Sequence, residues 1–303
     1  MCGSINGMAE RTILDRSQGF QKVCDIMIDA KPAAIGKLGT IELDIAYYRF
    51  KTKKQNSPIP PHTIPILCKN AGMFPPDQTT AIKMADELLK SVLYFTVVSP
   101  WWGIPQSLEL YNALSKHSEF VSLPSLECFL SPTPDHWWTA KLAPHTKVLV
   151  LSPFASSIES QIPHLDKIWS SRPGFWNPTT QFKTLCFPLS FGIQSPAIQQ
   201  EMLEKWTDSF GLLDDFKKQM DAVKYDVVLI GAGIYSLPLM AHAKQQGKRA
   251  IHLGGGTQIF FGIRGGRWDP MPEFQELFNE HWIRPSDKER PAHYTSVEKG
   301  CYW

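Results

Sequence analysis

The segment YDVVLIGAGIYSLPLMAHAKQQGKRAIHLGGGTQIFFGIRGGRWD, residues 225–269, constrains the fold more than any other part of the chain. It reads as strand, glycine turn, helix, strand, glycine turn. Two short apolar strands joined through a helix predict a largely parallel sheet with helices on both faces. Between Val227 and Trp268 there is no Asp or Glu, but there are five Lys/Arg. Two strand-end loops rich in backbone N–H groups and poor in carboxylates suit a phosphate-bearing, nucleotide-type ligand.

The rest of the chain continues the alternation. AAIG (33–36), LYFTVV (93–98), KVLVLSPF (147–154) and KTLCFPL (183–189) read as strands. Helical spacing covers 9–30, ELDIAYYRFK, 78–90, 105–117, SSIESQIPHLDKIW and 196–221, with a short helix from about 271. KTKKQNSPIPPHTIP (51–65) is polar and Pro-rich, which predicts a surface excursion. No linker divides the chain, so residues 1–303 are expected to form a single α/β domain, Rossmann-like in its sheet. The tail is Pro-rich but ends on aromatics and is expected to dock on the body.

Composition narrows the function classes. A formal charge of +2 is too small for non-specific nucleic-acid binding. The six cysteines form no CxxC pair, which argues for free thiols in a reducing compartment and against a zinc site. The first fifteen residues lack a secretory core. Apolar runs reach about seven residues, far short of a membrane span. These features predict a cytoplasmic protein without a transmembrane segment.

Four loops are candidates for chemistry. GAGIYS places Gly231, Gly233 and Tyr235 in a near match to the dinucleotide fingerprint, but His252 and Leu253 stand where that fingerprint wants a ribose-binding acid. A nicotinamide, flavin or S-adenosylmethionine enzyme is therefore the runner-up. GGGTQ offers Gly254, Gly255, Gly256 and Gln258 for close ligand approach, and RGGRWD adds Arg264 and Arg267 for phosphate. SPFASS places Ser152 at a strand end and Ser156 at a helix start, where a cap or an anion fits. GKLGTIELD brings Gly36, Lys37, Gly39 and Thr40, then Glu42 and Asp44, to another strand end. Glu42, Asp44 and Glu127, an acid among apolar residues, are the candidate catalytic carboxylates. The tryptophan pairs 101–102 and 137–138 are core or loop anchors, an acceptor groove or a subunit contact.

IGKLGTIELD resembles the R-x-G-D-G-E turn of glycosyltransferases with the GT-D fold, and the related iGRlGtxEl turn of uncharacterised glycan-cluster proteins. KVLVLSPFASSIESQ, DVVLIGAGIYSLPLMAHAKQQGKRAIHLGGG and VEKGCYW resemble the same group, so the likeness covers most of the chain beyond the first 30 residues. The resemblance implies a GT-D-like architecture and transfer of a sugar from a nucleotide-diphosphate sugar, in the first instance UDP-linked, to a glycan or other hydroxyl acceptor. In that family the acidic turn holds a divalent ion (Mn or Mg) and the donor diphosphate. Lys37 matches the Arg, Gly39 the Gly and Glu42 the Glu, while Thr40 stands where the family has Asp. Glu42 is then the one metal contact kept, and Lys37 with Arg264 and Arg267 can neutralise the diphosphate instead. A nucleotide- or glycan-binding protein without catalysis is the further alternative.

Overall fold

The computed structural model describes residues 11–52, 57–190 and 196–303. Eight strands form one sheet: β1 (Ile13–Leu14), β2 (Ala33–Gly36), β3 (Val97–Val98), β4 (Glu119–Val121), β5 (Lys147–Ser152), β6 (Gln181–Cys186), β7 (Val227–Ile230) and β8 (Arg249–His252). Their order is β1-β4-β3-β2-β8-β7-β5-β6, and every pairing is parallel. All carboxyl ends therefore lie on one edge. The helices are α1 (Arg16–Ile28), α2 (Thr40–Thr52), α3 (Thr63–Ile66), α4 (Gln78–Val92), α5 (Ile104–Leu114), α6 (Ala155–Gln161), α7 (Leu165–Ile168), α8 (Pro196–Lys205), α9 (Ser209–Asp221), α10 (Ser236–Gln245), α11 (Gly256–Ile259) and α12 (Pro272–Gln275).

Side-chain alternation along the strands builds two cores. Ala34, Val98, Leu149, Val228 and Ala250 point to one face, covered by α2, α4, α5, α9 and α10 through Leu43, Ala85, Leu110, Leu213 and Leu239. Ile35, Val97, Val150, Leu229 and Ile251 point to the other, covered by α1 and by an aromatic cluster around Trp138, Trp169, Phe175 and Phe260. The crossover after β5 lies on this second face through Ile158 and Ile168, whereas the one after β7 lies on the first through Leu239 and Met240. Loops part above such a β5/β7 switch point, where open α/β sheets bind ligands.

Local chemistry explains where the observed elements depart from the periodicity. The first helix starts at Arg16 because Asp15 and Gln18 form a capping box. The run 196–221 is two helices: the Asp208 carboxylate accepts from the N–H groups of Phe210 and Gly211, and buried Ser209 is tied to Phe74. The expected strand 93–98 shrinks to Val97–Val98 because the helix before it runs through Val92 and Leu93 closes its end. The excursion 51–65 is not all surface. Helix α2 continues to Thr52, and Ile59 is fully buried, held on both its N–H and C=O by the Gln78 amide. Residues 53–56 lie outside the described set. Cys24, Cys68 and Cys128 are buried free thiols, whereas Cys186 is exposed.

Gly233 holds the turn after β7 in a left-handed conformation (φ 52°), where an added Cβ would sit 2.6 Å from the Ala71 carbonyl oxygen. Gly233→Ala is expected to lose about 1–3 kcal/mol of stability, since both the backbone and the neighbour resist it. Urea unfolding checks this, and an unchanged midpoint would refute the assignment.

Candidate functional site

Three predicted turns meet at the carboxyl edge. A Cβ at Gly36 would lie 3.0 Å from the His252 carbonyl, and one at Gly231 would lie 2.8 Å from the Gly254 carbonyl. The loops after β2, β7 and β8 thus touch one another. Several of their backbone donors are already taken up within the fold.

After β7, the Gly231 N–H donates to Leu151, the Ala232 N–H to the Ser236 hydroxyl and the Tyr235 N–H to Ala232. Tyr235 is fully buried, its hydroxyl bonded to the Gly72 carbonyl (2.7 Å) and paired with Ser209 (2.8 Å). The Gly231 N–H and the Tyr235 side chain are therefore engaged within the fold. After β8, Gly254 makes a left-handed turn (φ 58°) and a Cβ on Gly255 would meet the Tyr302 ring at 2.5 Å. The N–H groups of Gly256, Thr257 and Gln258 are spent on the carbonyls of Leu253, Gly254 and Gly255. The buried Gln258 amide donates to the carbonyls of Ile263, Arg264 and Tyr302.

The α6 N-terminus does hold an anion, but it is the chain's own. The Glu289 carboxylate accepts from the N–H groups of Ser156 (2.8 Å) and Ser157 (3.1 Å), from the Ser157 hydroxyl and from the Ser286 N–H (3.2 Å). Ser152 is buried and accepts from the Phe154 N–H. Trp303 packs edge-on to Phe154, its ring 5.7 Å away, and donates its indole N–H to the Glu289 carbonyl, so the tail docks on the body above the switch point. Arg264 is paired with Asp269 at 3.1 Å and lies over Phe278.

The chemistry-bearing residues converge instead beyond β2 and β8. Lys37 follows the last residue of β2 and lies 4.6 Å from the centre of the Trp101 ring, whose indole N–H donates to the Leu38 carbonyl. Glu42 sits in the first turn of α2, which Thr40 begins, and folds back over Gly39 so closely that a Cβ there would collide with its carboxylate. Glu127 is pinned between two 3-10 turns, flanked by buried Leu126 and Cys128, and its Oε1 lies 2.5 Å from where a Gly256 Cβ would be. Arg267 contacts Glu298 and lies 3.3 Å from the Tyr302 hydroxyl. Asp44 is exposed two residues beyond Glu42 on α2.

These groups share one electrostatic field. Burial lowers the Lys37 pKa, while Glu42 and Glu127 raise it and Arg267 lowers it. Burial raises the Glu42 pKa, against its own backbone N–H and Lys37. Burial pushes Glu127 up to about 7, against Lys37, Arg267 and Arg16. His252, buried beneath, is driven down to about 3 by burial and by Lys37, so it is neutral. Lys37, Glu42 and Glu127 keep partial solvent exposure despite this desolvation. Among the described residues neither Lys37 nor Glu127 has a salt bridge or side-chain hydrogen bond. No three His, Cys, Asp or Glu side chains among the described residues converge to hold a metal ion. Sequence reasoning missed Trp101 as the partner of Lys37 and Glu298 as that of Arg267. The VEKGCYW block was the one signal for the second.

No family model and no curated protein matches the chain. It is similar to two solved structures of domain of unknown function 1792, one the selenomethionine-substituted form and one described as having a distinct glycosyltransferase fold. Each aligns over 92% of this chain and 93% of its own at 13% identity, with a TM-score of 0.47.

Glu127 carries a stability signature of its own. The folded protein keeps its proton up to about pH 7, whereas the unfolded chain releases it near the ordinary 4.5. Stability therefore falls as pH rises through that window and stays reduced above it. Glu127→Gln is expected to match the parent at pH 4 and to exceed it at pH 8 by on the order of 1–3 kcal/mol. Denaturant midpoints at the two pH values measure this, and an equal difference at both would contradict the burial of this carboxylate.

Proposed function

We propose that the protein is a cytoplasmic glycosyltransferase of GT-D-like architecture, a single α/β unit that uses a UDP-sugar donor and a glycan or other hydroxyl acceptor. The observation that carries the reading is the cluster in which Lys37 stands in the field of Glu42, Glu127 and Arg267 with no bonded partner among the described residues. Desolvated charges with unfilled bonding capacity mark sites that expect a charged ligand.

The chemistry follows from these side chains. Lys37 and Arg267 face the donor diphosphate and offset the charge that grows on it as the bond to the sugar C1 breaks. Glu127 accepts the acceptor hydroxyl proton as that oxygen attacks C1; its pKa near neutrality lets it be ionised before the step and basic enough during it. Glu42 accepts hydrogen bonds from hydroxyls of the donor sugar. The described carboxylates do not form a metal cage, so the two cations take the place of a divalent ion in this reading.

Thermal shift with UDP, a UDP-sugar panel, NAD and S-adenosylmethionine, each with manganese or with EDTA, tests the donor. UDP is expected to stabilise in EDTA as well as in manganese, by about 2.7 kcal/mol at a hundredfold excess over Kd. Lys37→Ala is expected to weaken UDP roughly 10- to 100-fold, as loss of a charged hydrogen bond does. Stabilisation by NAD or S-adenosylmethionine and not by UDP would move the case to the runner-up. Glu127→Gln is expected to cut transfer by roughly 10²–10⁴-fold and to abolish the rise of kcat/KM with pH near 7. Near-normal transfer by that variant would remove Glu127 from the chemistry.

Glu298 competes with the donor for Arg267. Because Glu298 is exposed, Glu298→Gln is expected to tighten UDP binding by up to about fivefold, the range of an exposed ion pair. Calorimetric titration reads this, and weaker UDP binding would show that Glu298 helps the ligand rather than opposing it.

A further inference from the structure

We infer that Trp102 is the stacking platform for a sugar ring of the acceptor, an inference that rests on the glycosyltransferase reading above. Trp102 is half exposed (50%), whereas Trp137 and Trp138 are buried in the aromatic core. Its neighbour Trp101 is the residue that lies against Lys37 and bonds the Leu38 carbonyl, and the two indoles sit 6.1 Å apart at 50°. The exposed ring thus adjoins the Lys37 cluster, in the loop beyond the carboxyl end of β3, next to β2 in the sheet.

The backbone that carries the ring is fixed in advance. The Trp102 carbonyl accepts from the Ser107 hydroxyl at 2.6 Å, and Gly103 turns the chain in a left-handed conformation (φ 47°) into α5. An indole turns about only two side-chain torsions, so stacking costs it little freedom.

Three occupants compete for an exposed indole. A dimer contact needs about 800 Å² per partner. Here the exposed apolar neighbour in sequence is Ile104, and the other large exposed apolar side chains, Ile28, Ile66, Leu93 and Met271, come from separate elements. An anionic lipid surface calls for basic residues around the apolar ones. The exposed polar residues following on α5 are Gln106 and Glu109, and Glu109 is paired with Lys51 at 2.7 Å, so this rim carries no net positive charge. A pyranose ring fits both facts, since its C–H face covers one indole while its hydroxyls meet a polar rim.

The test is an array of immobilised neutral and amino-sugar oligosaccharides, probed with and without UDP, using the intact protein and Trp102→Ala, Trp102→Phe and Trp102→Leu. The parent is expected to bind at least one glycan. Trp102→Ala and Trp102→Leu are expected to weaken that binding roughly three- to tenfold, and Trp102→Phe to retain part of it. Thermal shift by UDP, run on the same preparations, is expected to be unchanged in all three. Unaltered glycan binding by Trp102→Ala, equal binding by the Leu and Phe variants, or no glycan bound by the parent would overturn the inference. Concentration-dependent sedimentation abolished by Trp102→Ala, with glycan binding intact, would assign the ring to a second copy of the chain instead. Absence of any UDP response in the parent would sink the donor reading separately, because the array without UDP still reports on stacking.

Discussion

The carboxyl edge of the sheet depends on close approach between backbones. At Gly36 against His252, and at Gly231 against Gly254, a side chain would drive a Cβ into a carbonyl oxygen that its own strand holds in place. At Gly256 the contact is with the Glu127 carboxylate. Removing Cβ atoms at these crossings lets the ends of β2, β7 and β8 close on one another. That closure brings Lys37 from one end of the chain and Arg267 from the other into the field of Glu127 and Glu298.

The resulting cluster differs from the structural ion pairs elsewhere in the molecule. Arg49 and Asp86 are joined by two hydrogen bonds, at 2.9 and 3.1 Å, a two-pronged geometry in which cation and carboxylate bond each other directly. Lys37, by contrast, has an aromatic face at 4.6 Å and three acids, Glu42, Glu127 and Glu298, near enough to raise its pKa but no bonded partner among the described residues. Burial disfavours the charged forms of Lys37, Glu42 and Glu127 alike, so each gains when an ionic or hydroxylated ligand supplies the missing bonds. His252 at the base stays neutral for the same reason, which removes the histidine best placed by sequence from acid–base work.

The parallel sheet and the convergence of its turns were legible in the sequence because apolar runs and glycines report directly on backbone. The two- and three-residue strands β1, β3 and β4 were not, or only in part, because so few residues leave no periodicity. Lys37, Glu42 and Glu127 were legible as charges in unusual company. The roles of Ser156 and the GAG turn were not, since the bonds that occupy them come from Glu289, Ser236 and Leu151. A sequence shows that a donor exists; only tertiary structure shows who has already taken it. Glycine misleads in the same way, because a Gly that admits a ligand and a Gly that admits Tyr302 look alike.

The segment 286–303 shows how one stretch of chain treats two anion-binding positions differently. Glu289 is buried and accepts four hydrogen bonds, three of them from Ser156 and Ser157 just after the start of α6. Taking it out would strand those donors, so this carboxylate belongs to the fold. Glu298 is exposed, bonded to Arg267 and the Cys301 thiol, and carried on backbone with left-handed φ at Glu298 and Lys299. Such conformations cost free energy at non-glycine residues. The same residue also raises the Glu42 pKa by repulsion, so its presence opposes the ionised form of its neighbour. On the proposed reading, a donor diphosphate entering beside Lys37 would therefore displace a carboxylate that is strained and solvated rather than one that is buried and saturated. The anion position at α6 is closed by structure, while Glu298 meets Arg267 through an exposed ion pair, a kind of contact weak enough to exchange.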